Sequence, residues 1–341
     1  MADTPTPRQM LLQLLQGVPP PRPLFVPIVF SIGARIENLP IRDFAANQAK
    51  ISSALKQIRG HIRSDGLACY FDPFLETEAL GGVVDSTAHD DLPSISWPGN
   101  PPVGNVPSRL ESPENAVRRA QMPVALEVVR RLAATTRDGS ILMAAITGPL
   151  TLAAYLTQLA PATDLTYGDL PASALEVACS VATKFAAAFA EAGANLLIVH
   201  ETLLSSLSPE TCESWSTLLS PVFNIARFYE ALPVLLLPNN LRTNSNWRLI
   251  SQKRWDCVLA IPFSLAADLN VSPTSINPAS LGITLGNEFF VSGDESLVKL
   301  TSLCSKLRPA IVTSSGDLPQ DADVKRVSEI RDAVSQSRVA P

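Results

Sequence analysis

The sequence predicts a (β/α)8 barrel, or TIM barrel, formed by a single domain. Three observations lead to this fold class. Short apolar runs recur along the chain, longer amphipathic stretches separate them, and the first strand–helix junctions lack a glycine-rich phosphate-binding motif. A chain of 341 residues, of which 46% are hydrophobic, is long enough to bury the core that this fold needs.

Eight apolar runs supply the predicted strands. Each run is apolar on both faces, as expected for parallel strands that are covered by helices. The runs are LFVPIVF (24–30), GLACYF (66–71), ILMAAI (141–146), NLLIVH (195–200), PVLLLP (233–238), DCVLAI (256–261), GITLG (282–286) and AIVTS (310–314).

Amphipathic stretches between these runs predict helices over 115–134, 173–192 and 208–232. Gly193 stands where a helix C-cap belongs, and Ser208 is a candidate N-cap. A doubly wound open sheet is the alternative fold. Neither G-x-G-x-x-G nor G-x-x-x-x-G-K-[ST] occurs after the first strands, so the barrel is favoured.

Composition excludes several classes of protein. The formal net charge is −5 and no stripe of Lys and Arg is present, so we expect no nucleic-acid partner. No apolar run approaches the roughly 20 residues that cross a bilayer, and the N-terminus does not resemble a signal peptide. The five cysteines are widely spaced without a C-x-x-C pair, which is typical of reduced thiols. These features predict a cytoplasmic protein without membrane contact.

The predicted domain organisation is simple. Residues 1–20 form an N-terminal tail and first helix, and residues 21–336 form the barrel. Within the barrel, residues 86–113 are polar and rich in proline, which predicts a long loop near the active-site mouth.

The second predicted strand ends in an unusual way. Asp72 and Pro73 follow its last apolar residue, and Glu76 and Glu78 come soon after. Asp72 either faces the mouth of the barrel or caps a following helix whose first residue is Pro73. Glu76 and Glu78 are interpreted as helix first-turn acids or loop charges and not as a catalytic pair.

Five segments carry a resemblance to a known superfamily. They are SDGLACYFDPFLETEALGG (64–82), AAITGPLTLAAYL (144–156), EAGANLLIVHETLLSSLSPE (191–210), the entry segment 6–27 and the C-terminal segment 316–334. In this order they resemble motifs of the uroporphyrinogen decarboxylase superfamily. The resemblance implies a TIM barrel whose site lies at the C-terminal mouth. One branch decarboxylates acetate side chains of uroporphyrinogen without a cofactor. The other moves methyl groups between a corrinoid and an acceptor, usually on zinc.

The resemblance implies roles for individual residues. Asp72 matches the aspartate that binds pyrrole N–H groups and stabilises positive charge on the protonated ring. Tyr155 matches a tyrosine beside that aspartate, or else is a core tyrosine whose hydroxyl has a backbone partner. Thr202 matches a serine that contacts substrate. Glu201 precedes Thr202 at the end of the fourth strand, where side chains usually face the mouth. His200, at the same strand end, is a candidate proton donor that faces the mouth, or else a core histidine.

Two positions depart from the decarboxylase motifs. The stretch after the first strand, 31–40, contains only Arg35 where the decarboxylases carry several arginines, and Arg42 lies just beyond it. Arg35 is therefore the predicted carboxylate ligand. Ser314 and Ser315 stand where the decarboxylases carry a histidine after the eighth strand.

The zinc ligands of the methyltransferase branch are also replaced. The stretches 236–244 and 313–317 contain neither histidine nor cysteine, so we expect no metal. After the fifth strand, Asn239, Asn240 and Arg242 are candidate substrate-binding residues for a polar or anionic ligand, or else solvated loop residues.

These observations lead to three hypotheses of function. The first is a lyase that decarboxylates a tetrapyrrole or another carboxylated small molecule without a cofactor. The second is a zinc-free methyltransferase that uses a corrinoid. The third is a barrel that binds a partner and catalyses nothing. The resemblance also allows a homodimer.

Overall fold

The computed structural model describes residues 5–85, 94–136, 139–160, 167–203, 209–239, 255–268, 277–291 and 294–337. Eight parallel strands form one sheet that curls into a nearly closed barrel, so the predicted (β/α)8 fold is confirmed. Around the sheet the strands follow the order β1-β10-β9-β8-β7-β6-β5-β2. Their bounds are β1 Leu24–Phe25, β2 Gly66–Tyr70, β5 Ile141–Thr147, β6 Leu196–His200, β7 Leu232–Leu236, β8 Val258–Pro262, β9 Leu281–Leu285 and β10 Ile311–Ser314. A separate antiparallel hairpin pairs β3 (Val83–Asp85) with β4 (Ser94–Ser96).

Helices follow most of the strands and cover the outside of the barrel. Their bounds are α1 Pro7–Leu15, α2 Phe30–Ile36, α3 Ile41–Ala45, α4 Gln48–Ile62, α5 Leu75–Ala79, α6 Pro113–Ala116, α7 Met122–Thr135, α8 Pro149–Leu156, α9 Ala172–Ala192, α10 Pro209–Phe228, α11 Phe263–Ala267, α12 Glu288–Val291, α13 Asp294–Leu307 and α14 Val324–Gln336.

Most barrel strands alternate between two hydrophobic clusters. In β6, Leu196 and Ile198 belong to the cluster that fills the barrel interior, while Leu197 and Val199 belong to the larger cluster beneath the helices. This period of two is the direct consequence of strand geometry. Helix α1 contributes Met10, Leu11 and Leu14 to the interior cluster, so the N-terminal helix packs against the barrel interior.

Two predicted elements differ from the structure. The run 24–30 forms only a two-residue strand, because Pro27 lacks an N–H and α2 already begins at Phe30. The single helix predicted over 115–134 is wrong and is replaced by α6 and α7. Pro123 lies in the first turn of α7, and Ala120 just before it has a φ of 48°.

Two predicted helix ends have different outcomes. Gly193 does cap α9, with a φ of 112°. Ser208, the predicted N-cap of α10, lies outside the described residues. Among the described helices, α9 alone is long and apolar enough to cross a membrane by length and composition. It packs against α7, α8 and α10 on the barrel surface.

The Pro-rich segment predicted as a loop contains several ordered contacts. Of its residues 86–113, the part from 94 onward is described, and it includes β4 and the buried side chain of Trp97. The Trp97 indole N–H donates to the Tyr155 carbonyl at 3.0 Å, and Gly104 N–H donates to the Thr157 carbonyl at 2.8 Å. The segment is therefore fixed against the C-terminal end of α8.

A side chain spans the opening of the barrel between β1 and β2. These two strands share no ladder within the described residues. Instead the buried Asp65 carboxylate accepts from Phe25 N–H at 2.8 Å and from both terminal nitrogens of Arg22 at 2.7 Å. Asp65 N–H in turn donates to the Phe25 carbonyl at 3.0 Å. The hydrogen bonds of Asp65 therefore connect β1 to the start of β2 in place of a strand ladder.

We predict that Asp65→Ala lowers the free energy of unfolding by about 2 kcal/mol, because Phe25 N–H and Arg22 lose their buried acceptor. Urea unfolding followed by circular dichroism measures this change. Arg22→Ala is the matched control, since it keeps the bond between Phe25 and Asp65 and should cost less. An Asp65→Ala protein with the wild-type urea midpoint would contradict the role of Asp65.

Candidate active site

A cavity of about 520 Å³ opens at the C-terminal ends of β1, β2 and β10. In a TIM barrel, this is the end where catalytic residues are found. Aromatic and aliphatic side chains form much of its wall, and four charged side chains face it. The lining residues are Phe30, Ser31, Ile41, Arg42, Ala45, Phe71, Asp72, Pro73, Phe74, Glu78, Val84, Gln121 and Asp317.

Asp72 is half-buried and reaches this cavity from the end of β2. Its Oδ1 accepts from Phe74 N–H at 2.9 Å, while Oδ2 has no hydrogen bond within the described residues. Helix α5 begins at Leu75, so Asp72 closes a turn before the helix and Pro73 is not its first residue. Burial raises the pKa of Asp72, and the Phe74 N–H opposes that rise. One carboxylate oxygen is thus fixed and the other is left for a ligand.

Three further charged groups line the same cavity. The Asp317 carboxylate accepts from Phe30 N–H at 2.7 Å and from Ser31 N–H at 2.9 Å, which caps the start of α2. Burial raises the pKa of Asp317 to about 6, against these hydrogen bonds. Burial and the charge of Asp72 raise the pKa of Glu78, and Arg42 opposes the rise. The described part of the lining therefore carries three acids and one guanidinium.

Glu76 lies behind the cavity wall and is completely buried, with an exposed fraction of 0%. Its carboxylate is bound to the end of β5, through Thr147 N–H at 3.1 Å and the Thr147 hydroxyl at 2.8 Å. Burial raises the pKa of Glu76 to about 7, and hydrogen bonding with Thr147 opposes this rise.

Tyr155 and Thr202 lie next to the cavity. Tyr155 stands on α8 with an exposed fraction of 9%, and its ring centroid is 5.4 Å from that of Phe74. Burial raises the pKa of Tyr155, and the neighbouring Thr202 hydroxyl opposes this effect. The Phe74 ring thus connects Tyr155 to the cavity that Asp72 faces.

His200 ends β6 and is half-buried. Its ring centroid lies 5.8 Å from that of Phe71, which lines the cavity. Burial lowers the pKa of His200 to about 4, although the backbone of Ser315 opposes the shift. The imidazole is therefore neutral at pH 7, and it packs against a lining residue of the cavity.

Glu201, at the mouth, is completely buried, and its carboxylate accepts four hydrogen bonds from described residues. Its Oε1 accepts from Leu150 N–H at 3.1 Å and Trp215 Nε1–H at 3.3 Å. Its Oε2 accepts from Thr151 N–H at 2.9 Å and from the Thr151 hydroxyl at 2.7 Å. These four donors leave no lone pair for the predicted substrate contact. Glu201 instead holds the N-terminus of α8, where a negative charge is favoured.

The family model described as Uroporphyrinogen decarboxylase (URO-D) matches residues 6–232. The chain belongs to this family. No curated protein matches the chain. Among solved structures, a methyltransferase from Methanosarcina mazei matches with a TM-score of 0.74 at 15% identity, over 97% of this chain and 98% of that chain. This match shows a shared barrel fold over nearly the whole length.

Weaker matches are found to D-psicose 3-epimerase and L-ribulose 3-epimerase, both with a TM-score of 0.42. Their identities are 10% and 11%, and they cover 66% and 61% of this chain and 86% and 79% of their own chains.

The predicted anion-binding residues of this uroporphyrinogen decarboxylase family member are dispersed. Arg35 is exposed and donates to the Ala322 carbonyl at 3.0 Å, away from the lining of the cavity. Arg42, seven residues along, lines the cavity instead. Asn239 is exposed after β7, while Asn240 and Arg242 lie outside the described residues. Ring contacts with Phe71 and Phe74 place His200 and Tyr155 beside the cavity that Asp72 lines, and Thr202 lies beside Tyr155. Arg35 lies away from this lining.

The described residues contain no cluster of three or more His, Cys, Asp and Glu side chains arranged to hold a metal ion. Ser314, at one expected ligand position, accepts from Ile28 N–H at 2.9 Å and donates to the Gly316 carbonyl at 2.6 Å. That side chain links β10 to the end of β1.

Sequence reasoning did not identify Asp317, Glu78 or Glu76 as site residues. For Asp317 a signal was available, because it is the first acid after the eighth apolar run and side chains at that strand end face the mouth. For Glu76 and Glu78, their position near Asp72 in the sequence did not reveal which of them turns inward.

We predict that Glu201→Gln lowers the free energy of unfolding by about 2–3 kcal/mol, since its amide NH2 would oppose buried N–H groups. Chemical denaturation in urea is the measurement. The exposed Glu230→Gln serves as the matched control and should change stability by less than about 0.5 kcal/mol. Equal effects of the two substitutions would show that Glu201 does not organise α8.

Proposed function

We propose that this family member is a cofactor-independent carboxy-lyase acting on a small carboxylated, electron-rich ring such as a pyrrole. One observation carries the proposal. Asp72 presents an oxygen without a protein partner among the described residues to a cavity walled by Phe30, Phe71 and Phe74. A carboxylate held in place within a partly apolar cavity stabilises positive charge that develops on a bound ring.

The proposed reaction needs such a charge. Protonation of a ring carbon makes the ring cationic, and the bond between the side-chain methylene and its carboxylate then breaks. CO2 leaves, and the electron pair of that bond neutralises the ring. The resulting methylene takes up a proton while the ring carbon loses one, so the net change is one proton consumed and one CO2 released. Asp72 stabilises the cationic stage, and the Arg42 guanidinium provides a ligand for a substrate carboxylate.

The charge of the cavity supports a small substrate. Among the described lining residues, Arg42 is the one cation, whereas Asp72, Glu78 and Asp317 are acids. A ligand with many carboxylates would place like charges against these acids, which is unfavourable. The volume of about 520 Å³ is within the range of small-molecule sites and suits a single substituted ring. A monopyrrole with one or two carboxylates therefore fits the proposal better than a complete tetrapyrrole.

A second candidate function is methyl transfer with a corrinoid. The observation that favours it is the match, over 97% of this chain, to the Methanosarcina mazei protein described as a methyltransferase. Incubation with methylcobalamin and thiol acceptors tests this candidate through the absorption spectrum of the corrinoid. Loss of the methylcobalamin spectrum with formation of a methylated thiol would favour it over decarboxylation.

We predict that Asp72→Asn lowers kcat for decarboxylation by about 100-fold or more, because it removes the charge that stabilises the cationic ring. Asn keeps an oxygen that accepts from Phe74 N–H, so the turn before α5 should persist. The assay measures CO2 release from porphobilinogen, a monopyrrole with an acetate side chain, and from uroporphyrinogen as a tetrapyrrole.

The exposed Asp268→Asn is the matched control, since it changes the net charge equally without touching the cavity. Wild-type turnover by Asp72→Asn would remove Asp72 from the mechanism. CO2 release from uroporphyrinogen but not from porphobilinogen would overturn the proposed substrate size.

A further inference from the structure

We propose that Glu76 is a positioning residue that acts in its protonated form, holding the turn of Asp72 through Thr147 and Pro73. The hydrogen bonds around the Thr147 hydroxyl lead to this inference. Thr147 Oγ1 lies 2.8 Å from Glu76 Oε2 and 3.0 Å from the Pro73 carbonyl oxygen. A hydroxyl has one hydrogen, so it donates to only one of these two oxygens.

The Pro73 carbonyl determines which oxygen receives that hydrogen. A carbonyl only accepts, and within the described residues the Thr147 hydroxyl is its sole hydrogen-bond donor. If Thr147 donates to Pro73, the short contact to Glu76 is a hydrogen bond only when Glu76 carries a proton and donates it. An ionised Glu76 would draw the Thr147 hydrogen to itself and leave the Pro73 carbonyl without this donor. The geometry therefore favours the chain from Glu76 to Thr147 to Pro73.

The surroundings of Glu76 favour the same protonation state. Its exposed fraction is 0%, and no basic side chain of the described residues contributes to its pKa, which burial raises to about 7. The ionisable groups whose charges interact with Glu76 are Asp72 and Tyr155, and neither is a cation. Strands β5 and β3 both contact α5, the helix that carries Glu76. Strand β5 supplies no ionisable side chain, and β3 supplies only Asp85, which is exposed.

A protonated Glu76 has two consequences for the cavity. Pro73 follows Asp72 directly, so a fixed Pro73 carbonyl limits how the Asp72 turn can move. A neutral Glu76 also avoids placing a second negative charge behind Asp72, which would raise the pKa of Asp72 further. The catalytic consequence of this inference rests on the proposed function. The protonation state of Glu76 is testable without any enzymatic activity.

The protonation state is measured by infrared difference spectroscopy in D2O at pH 6, comparing the wild type with Glu76→Gln. We expect the carbonyl stretch of a protonated carboxylic acid in the wild type and its loss in Glu76→Gln. Glu230→Gln is the control and should leave that band in place. The contrary outcome is a wild-type spectrum that lacks this carbonyl band, together with a carboxylate band that is lost in Glu76→Gln. That outcome would show that Glu76 is ionised and would overturn the proposal.

The pH dependence of stability gives an independent readout. The pKa of Glu76 is raised in the folded protein, so the folded state holds its proton through the range from about 4.5 to about 7 while the unfolded state releases it. The contribution of Glu76 to the free energy of unfolding therefore falls as the pH rises through that range. We expect the urea midpoint of the wild type minus that of Glu76→Gln to decrease as the pH rises from 5 to 8. A constant difference between the two midpoints would contradict the proposal.

Catalysis distinguishes positioning from general structural support. Glu76→Gln donates its amide hydrogen to Thr147 as the protonated acid would, so kcat should stay within threefold of the wild type at pH 6. Glu76→Ala and Thr147→Val should lower kcat about tenfold with little change in KM, while Thr147→Ser should retain activity. Equal losses in Glu76→Gln and Glu76→Ala would overturn the role. If the wild type decarboxylates none of the substrates, the infrared and urea results still decide the state of Glu76.

Discussion

The arrangement of the mouth depends on the Glu201 carboxylate. This acid is fully buried at the end of β6, and its four hydrogen-bond donors come from α8 and α10. A buried charge is stable only when such donors replace water. The contact is so close that a Cβ built on Gly148 would lie 2.2 Å from the Glu201 carboxyl carbon, so a larger residue there would displace the carboxylate from its donors. Because α8 carries Tyr155 and receives Trp97, this one carboxylate sets the position of a whole wall of the site.

Other carboxylates of the barrel also accept hydrogen bonds from backbone N–H groups. Asp65 binds Phe25 N–H, Asp317 binds the start of α2, and Glu76 binds Thr147 at the end of β5. Each of these acids supplies an acceptor to backbone N–H groups that lack a ladder or helix partner. Asp72 differs, because one of its oxygens has no hydrogen bond among the described residues. These acids thus hold the scaffold at both ends of the barrel, whereas Asp72 at the mouth keeps one carboxylate oxygen without such a bond.

The fold was predictable from the sequence because its signals are local. Apolar runs on both faces mark parallel strands, and Gly193 marks a helix end. The roles of neighbouring acids were not predictable in this way. Helix α5 begins at Leu75, which turns Glu76 into the core and Glu78 toward the cavity. Similarly, the choice between Arg35 and Arg42 depends on where α2 and α3 lie against the mouth. Such orientations are set by tertiary packing, which local sequence patterns do not reveal.

The acidic lining links ligand charge to protonation. Burial raises the pKa values of Asp72, Glu78 and Asp317, so protons bind these carboxylates more readily than they bind exposed ones. A positive charge in the cavity acts in the opposite direction and favours their ionised forms. By thermodynamic linkage, protons and a cationic ring therefore compete for the same cavity. A ring that becomes cationic only during a reaction gains this stabilisation at that stage and not on binding, which is the condition for catalysis and not merely tight binding.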